Sequence, residues 1–438
     1  MPQPVLLLGI DDSPDYSEFP LAEIAQARPV ILADANAPAW ARPYLARHLV
    51  VDPADAVATA AAVKGYATAH ELGGVFTYTS KHLVTTAQIA TKLELFGSSA
   101  EAHAVCTDRL QVRQRLAQHK VSMPRWAEAR TPEAVVAQGD LIGYPVVIKS
   151  RIGGGSSGQA CDRAEVPAIH ARVTGLQAAQ PHRHDTLLIE ELVDGPQVAV
   201  ETVALKDGDI QVVAITRTIL GPPPARAAVR HCVYAHDSLL HNRQIRQAAT
   251  RAVNALGITL GTLHIEMTLT SRGPCVTDVS AHLAGDLIPL LVKRATGINL
   301  PQVAADLATG QPPNLTPTRQ RAAAAHFAYP AVSGRIESLL LTTSPHQPHM
   351  DRVALTQHAG HHVMRAQEAS AEDRLAHWVV LGDTAADCHT ALDLLAQDLT
   401  VHIVSSAAAV HHVGTPGPGS PRPTVQVHEP RPLPEAAQ

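Results

Sequence analysis

The segment from residue 264 to 280 constrains this chain more than any other. His264-Ile-Glu266-Met-Thr268 alternates polar and apolar side chains, and Val276-Thr-Asp278-Val-Ser280 follows beyond Ser271-Arg272-Gly273. Period-two alternation belongs to a strand with one buried face, because successive side chains leave a sheet on opposite sides. Two such runs around a short turn predict an antiparallel hairpin. His264, Glu266 and Thr268 then share one face, and Ile265, Met267 and Leu269 the other. With residues 271–272 at the turn, Glu266 is expected across from Asp278, and His264 across from Ser280. Facing carboxylates repel, since their Cβ atoms stand only ~4.5–5.5 Å apart. A divalent cation converts that repulsion into affinity, and hard oxygen ligands that share a site with phosphates suit Mg²⁺. The competing reading pairs one acid with an arginine such as Arg272 or Arg294. The polar face on an otherwise apolar hairpin favours the cation.

Two upstream segments carry compatible chemistry. Tyr144-Pro-Val-Val-Ile-Lys149 reads as a buried strand ending in a lysine, and Gly153-Gly154-Gly155-Ser156-Ser157-Gly158 follows it closely. Glycines let backbone amides approach phosphate oxygens, serines add donors, and the lysine places a cation among them. The lysine precedes the glycines, so this is not a Walker A loop. Gly154-Gly155-Ser156-Ser157-Gly158 also fits the G-x-S-x-G pattern of a hydrolase nucleophile elbow, which requires a helix directly after the turn. Here Gln159-Ala-Cys161-Asp162 reads as a return strand, which disfavours Ser156 as a nucleophile and leaves a plain hairpin loop as the other alternative. Further on, Leu187-Leu-Ile-Glu190-Glu191-Leu192-Val193 predicts a strand leaving a sheet through two acids. A carboxylate there can accept from a purine amine, although a charged strand end standing alone is equally ordinary.

The rest of the chain supplies a frame. Short apolar strands (Val5–Gly9, Pro29–Asp34, Gly74–Tyr78) alternate with helical stretches over the first hundred residues, a βαβ pattern. Val84–Leu95 has helical spacing with Gly97 as its stop. The first strand runs into Gly9-Ile10-Asp11-Asp12, so it lacks the glycines of a dinucleotide turn. A helix is predicted from Thr107-Asp108, and a short one after Thr131-Pro132. Strands are expected at 186–191, 197–205 and 209–218. A helix is expected over His241–Leu256 with Gly257 past its end, and another over about 285–297. Residues 321–405 read as a small α+β unit, and the Gly/Pro-rich segment from Val413 as disordered.

Composition excludes several classes. The net charge is −5 and no basic block occurs among the 438 residues, which argues against nucleic-acid or anionic-membrane partners. No stretch approaches the ~20 apolar residues of a membrane span. No basic leader opens the chain, and five scattered cysteines suit a reducing compartment, so a cytoplasmic protein is expected. The pairs His361-His362 and His411-His412 reflect a chain-wide bias to histidine, because adjacent residues point to different sides.

Taken in order over residues ~1–316, these signals resemble ATP-grasp enzymes, and most of all the carboxylate–amine ligases typified by bacterial L-amino acid ligases. The resemblance implies an α/β and α+β multidomain chain with an ATP-grasp fold. Its parts would be a Rossmann-like N-terminal domain (1–106), an ATP-grasp domain (107–316, lid about 121–190), a small α+β C-terminal domain (317–405) and a disordered tail (406–438). It implies ATP and Mg²⁺ as cofactors and small-molecule carboxylate and amine substrates, with a homodimer as the prior on assembly. Lys149, with Gly154, Gly155, Ser156 and Ser157, would meet the phosphates. Glu190, Glu191, Leu192 and Val193 would hold adenine, Gln197 the ribose, and Glu266, Asp278 and Ser280 the metal. Arg109, His282 and His231 complete the catalytic expectations. The chain departs from the family pattern at five of these positions. Arg109 stands for a lysine and Gln197 for a ribose-binding glutamate, and Asp278-Val-Ser280-Ala-His282 replaces Glu-x-Asn-x-Arg. Those departures keep a nucleotide-binding protein without turnover as the alternative, together with a ligase for a carrier-borne or larger substrate.

Overall fold

The computed structural model describes residues 2–152, 157–178, 184–206, 208–343, 347 and 349–405. The loop residues 153–156, Asp207 between the strands expected at 197–205 and 209–218, and the tail 406–438 lie outside these residues.

The chain opens with β1 (Val5–Leu8), α1 (Pro14–Ala27), β2 (Val30–Asp34), β3 (Arg47–Val50), α2 (Ala56–Ala69), β4 (Gly74–Phe76) and α3 (Leu83–Lys92). The strands form a parallel sheet in the order β3-β2-β1-β4. Every residue of β1 is buried, as expected of a parallel strand covered on both faces. Val5 and Leu7 pack with Leu21 and Ile24 of α1, whereas Leu6 and Leu8 pack with Val63 of α2 and Ile89 of α3. The predicted stop of α3 at Gly97 is corrected. The helix ends at Lys92, Glu94 turns to φ +55°, and the Leu95 amide donates back to the Ala90 carbonyl at 2.8 Å. A left-handed residue closes the helix there, a role glycine usually fills.

Next come α4 (Ala100–Cys106), α5 (Arg109–Gln118), β5 (Trp126–Ala129), α6 (Pro132–Ile142), β6 (Val146–Ser150), β7 (Ser157–Ala160), α7 (Val166–Ala178) and β8 (Leu187–Glu191). β5-β8-β6-β7 make an antiparallel lid sheet whose apolar face packs on α6 and α7. Asp108 caps α5 by accepting from the Leu110 and Gln111 amides, and Thr131 caps α6. β6 leads into antiparallel β7 with Lys149 opposite Ser157, and no helix begins before Val166. A nucleophile elbow therefore has no place here, although Ser156 itself lies outside the described residues.

The third group is β9 (Gln197–Ala204), β10 (Ile210–Leu220), β11 (Ala228–Tyr234), α8 (Arg243–Leu256), β12 (Gly261–Thr270), β13 (Gly273–Ser280), α9 (Ile288–Thr296) and α10 (Leu300–Ala308). It continues with β14 (Ala322–Ala328), β15 (Gly334–Leu341), β16 (Met350–Leu355), β17 (His362–Val363), β18 (Ala376–Gly382), α11 (Ala385–Leu395) and β19 (Leu399–Ser405). Eight strands form one sheet, β13-β12-β9-β10-β11-β14-β18-β16. The C-terminal segment thus lends β14, β18 and β16 to the central sheet, and only β17-β15-β19 form a sheet of their own. One face of the central sheet packs Val198, Ile215, Ile265 and Met267 against Ile245, Ala249 and Val253 of α8. That helix is bracketed by Asn242 as cap and by Gly257 at φ +73°. The opposite face meets α9 at its β11-β14-β18 end, whereas α10 lies against β12 and β4. Its β13-β12-β9 end carries the polar residues described next.

Candidate active site

The hairpin of β12 and β13 sets Glu266 opposite Asp278 and His264 opposite Ser280. A two-residue turn in strict register would have placed Glu266 opposite Thr277. The ladder instead slips by one residue between Glu266 and Met267, leaving Thr277 as the extra residue of a bulge. A bulge re-aims one strand against the other. Here it sets the two acids opposite one another.

The acids differ in surroundings. The Glu266 side chain is 53% exposed and lies 3.7 Å from His264 Nε2. Asp278 accepts from Arg109 Nε and Nη2, both at 3.3 Å. Burial works against ionising Asp278, but Arg109, Lys149 and Arg113 outweigh it and hold its carboxyl well below the usual range. The expected arginine competitor is therefore Arg109. Arg294 instead pairs with Asp351 at 2.6 Å. Among the described residues, no three His, Cys, Asp or Glu side chains gather as a metal cage. A cation held here would take Glu266 and Asp278, with Ser280 beside them, and complete its shell from phosphate oxygens and water. The Thr277 hydroxyl, beside Asp278 in the chain, is buried without a hydrogen-bond partner, and the donor set is all oxygen. Both observations fit such an ion.

Lys149 ends β6 and crosses to this hairpin. Its Nζ lies 2.8 Å from Glu190 Oε2 and donates to the Thr277 carbonyl at 3.1 Å. Glu190 is buried and also pairs with Arg113, which donates on to the Thr277 carbonyl. Burial raises the Glu190 carboxyl, but Arg113 and Lys149 more than reverse that, so it stays ionised. Arg109 donates to the Ser150 carbonyl at 3.0 Å, tying the start of α5 to the end of β6. Lid and central sheet are thus joined by three cations and two acids. Sequence reasoning passed over Arg113 as a site residue. The signal was present, because residues four apart on a helix share a face and Arg109 begins the pair.

The remaining predicted residues sort by position. Glu191 turns outward to Arg125 at 3.1 Å. A cleft of about 630 Å³ opens beside it, lined by Val121, Met123, Arg125, Glu191, Val193 and Cys275. Leu192 donates its amide to the Pro145 carbonyl at 3.2 Å. Gln197 Nε2 donates to Thr268 Oγ1 at 2.7 Å on β12. Gly195, at φ +143°, lets this link press on β12, since a Cβ there would lie 2.2 Å from the Leu269 carbonyl oxygen. His264 Nδ1 sits 3.0 Å from Glu201, a buried acid that sequence reasoning missed because only strand pairing brings it opposite. Burial alone would lower the His264 pKa, but Glu201 and Glu266 raise it well above the ordinary value. His282 is pushed down by burial, with Nδ1 2.7 Å from the Leu283 carbonyl. It is neutral at neutral pH and supplies no cation where the family pattern has arginine. His231 lies farther along the sheet, with Nδ1 3.0 Å from Thr218 Oγ1. Ser157 opens β7 opposite Lys149, whereas Gly154, Gly155 and Ser156 lie outside the described residues.

A lid sheet closing on a central sheet, with a strand-terminal lysine facing an acidic hairpin, is the architecture of ATP-grasp proteins, and this chain has that fold. Residues 142–289 match the ATP-grasp domain family. The crystal structure of an L-amino acid ligase from Bacillus licheniformis superposes with a TM-score of 0.75 at 20% identity, covering 92% of this chain and 99% of that one. A phosphoribosylglycinamide synthetase from Anaerococcus prevotii gives 0.67 at 16% identity, covering 92% and 100%. Among curated relatives, an uncharacterized protein, y4rH, of Sinorhizobium fredii is 30% identical over 58% of this chain and 52% of its own length. An L-arginine-specific L-amino acid ligase of Bacillus subtilis is 19% identical over 59% and 63%. The chain therefore spans less than two thirds of the length of either. No described helix is long and apolar enough to cross a membrane.

Proposed function

We propose that this chain is an ATP-dependent carboxylate–amine ligase. The observation that carries the reading is the pair Glu266 and Asp278, set opposite each other by a bulge and faced by Lys149 and Arg109. ATP would lie between lid and central sheet, with adenine in the cleft lined by Val121, Met123 and Val193. Because the Glu190 side chain is engaged by Arg113 and Lys149, the purine edge would be met by the backbone that follows it. Magnesium bound by Glu266, Asp278 and Ser280 would neutralise charge on the phosphates. A substrate carboxylate attacks the γ-phosphorus and ADP leaves. An amine then attacks the resulting acyl phosphate, and inorganic phosphate departs as the amide forms. Such transfer needs alignment and charge neutralisation more than a protein nucleophile. Lys149 and Arg109 supply both from opposite sides. The carboxylate and amine substrates are taken from the resemblance to carboxylate–amine ligases, and the names of the similar ligases support that choice.

A phosphate-release screen over pairs of the common amino acids, with ATP and Mg²⁺, tests the reading. At least one pair should release phosphate, and Glu266→Gln should abolish the Mg²⁺-dependent part. ATP binding by calorimetry with no release from any pair would favour the second reading, a nucleotide-binding protein without turnover. One observation supports that alternative: His282 is half-buried and neutral where the family pattern would have a cation.

A further inference from the structure

The end of β6 and the start of α5 are tied together beyond what the proposed chemistry uses. Asp108 and Ile152 form an isolated antiparallel bridge. The Arg109 amide donates to the Arg151 carbonyl at 3.0 Å. Arg151 then returns its own side chain to the residue beside Arg109. Its Nε stands 3.0 Å from both Asp108 oxygens, and its Nη2 donates to Oδ2 at 2.6 Å. Gln111 Nε2 donates to the same Oδ2 at 3.0 Å. Asp108 is only 4% exposed, so these donors are what make a charge tolerable there.

The Asp108 carboxylate has two tasks. Its Oδ1 accepts from the Leu110 and Gln111 amides at 3.0 and 3.4 Å and so caps α5. Uncharged asparagine caps a helix about as well, so capping alone does not call for a carboxylate, nor for an arginine aimed at it. Burial works against ionising Asp108, but Arg151 and Gln111 more than reverse that. A guanidinium fork on a carboxylate fixes direction as well as distance. Arg151 thus grips residue 108 through its side chain and residue 109 through its carbonyl.

The group held between those grips is Arg109. Its guanidinium spans two elements, with Nε and Nη2 on Asp278 of β13 and Nη1 on the carbonyl and hydroxyl of Ser150 at 3.0 and 3.2 Å. A planar group bonded on both sides tolerates little displacement of its own backbone. Asp108 cancels the charge of Arg151, so the pair adds little field of its own at the phosphates. We propose that Arg151, acting through Asp108, is a positioning residue that aims Arg109 at the nucleotide phosphates. The inference rests on the ligase reading only for where ATP lies.

A mutant cycle read by calorimetric titration of the full chain with ATP and Mg²⁺ tests it, because binding is measured whether or not the chain turns over. Asp108→Asn keeps the cap and loses the charge, and Arg151→Gln loses the fork. Each should weaken ATP binding about tenfold, and the two together no more than either, because they break one unit. In an Arg109→Ala background neither should weaken binding further, since nothing is left to aim. A pair that merely supported the fold would weaken binding in both backgrounds. Wild-type affinity in either single variant, additive losses in the double, or a further loss in the Arg109→Ala background would each overturn the inference. The expected pattern without phosphate release from any amino-acid pair would sink the ligase reading and leave Arg151 in its role. Phosphate release together with additive losses would do the reverse.

Discussion

Lys149 shows how one side chain joins two halves of a site. Its ammonium bonds Glu190 of the lid and the Thr277 carbonyl of the central hairpin at once. Arg113 holds the same two partners from below, so Lys149 can be removed without leaving Glu190 unpaired. Lys149→Ala should then leave the fold intact and slow ADP formation by on the order of 10²-fold or more, as for other preorganised charge donors. Steady-state ADP release measured beside circular dichroism checks this, and wild-type turnover would remove Lys149 from the mechanism. The thiols belong to the same scale. Burial pushes Cys106 and Cys388 up to about 12 and Cys232 up to about 11, so none of the three is a thiolate nucleophile at neutral pH.

At the scale of elements, the site depends on two backbone departures from regularity. The bulge at Thr277 turns an ordinary hairpin into one with facing acids. The link from β8 to β9 passes so close to β12 that only glycine fits at 195. Gly195→Ala adds a Cβ at φ +143° and drives it into the Leu269 carbonyl. It should cost more than about 1 kcal/mol of stability and weaken nucleotide binding by moving the purine-facing backbone. Urea unfolding and ATP titration read the two effects, and an unchanged urea midpoint would show that the link does not press on β12. Of the helix ends, Thr131 before Pro132 and Gly257 after α8 were marked in the sequence. Asp108, Thr131 and Asn242 each accept from the first-turn amides of α5, α6 and α8. The end of α3 was not, because Glu94 takes the left-handed turn in place of a glycine.

For the whole molecule, stability depends on histidines buried in the neutral form. Burial lowers His103 and His326 to about 4 and His377 to about 3. Their folded pKa values lie below the unfolded value of about 6.5, so the unfolded chain takes up protons first as pH falls. The stabilisation is complete above pH ~6.5 and declines toward pH ~4, by up to about 1.4 kcal/mol per pH unit for each histidine. Below that, Glu190 and Asp286, both held ionised by cations, continue the loss through the carboxylate range. Melting temperature should therefore fall steadily from pH ~6.5 to 5. His326→Phe should reduce that slope by one proton's worth, and an unaltered slope would mean that His326 is not among the groups responsible. The same long-range packing joins the N-terminal sheet to the rest. Glu23 of α1 meets Lys293 and Asn299, and Arg28 bonds Asp306 and Thr309 near the end of α10.

The sequence by itself determined the local pieces: the alternating hairpin, the lysine at a strand end, the helix ends at Thr131 and Gly257 and the parallel pattern of the first sheet. Each follows from side-chain period, backbone propensity or charge within a few residues. It also held the resemblance to ATP-grasp enzymes, because the three chemical segments occur in a fixed order along the chain. Only the tertiary structure decided that Arg109 faces Asp278, that Glu190 is enclosed by two cations, and that Glu201 stands behind His264. The sharing of the central sheet by C-terminal strands, and the closure of Arg374 onto Asp286 from 88 residues away, belong there too. Those pairings arise where separate segments are pressed together. Burial then makes an unpartnered charge costly, and the partner that satisfies it can come from any distance along the chain.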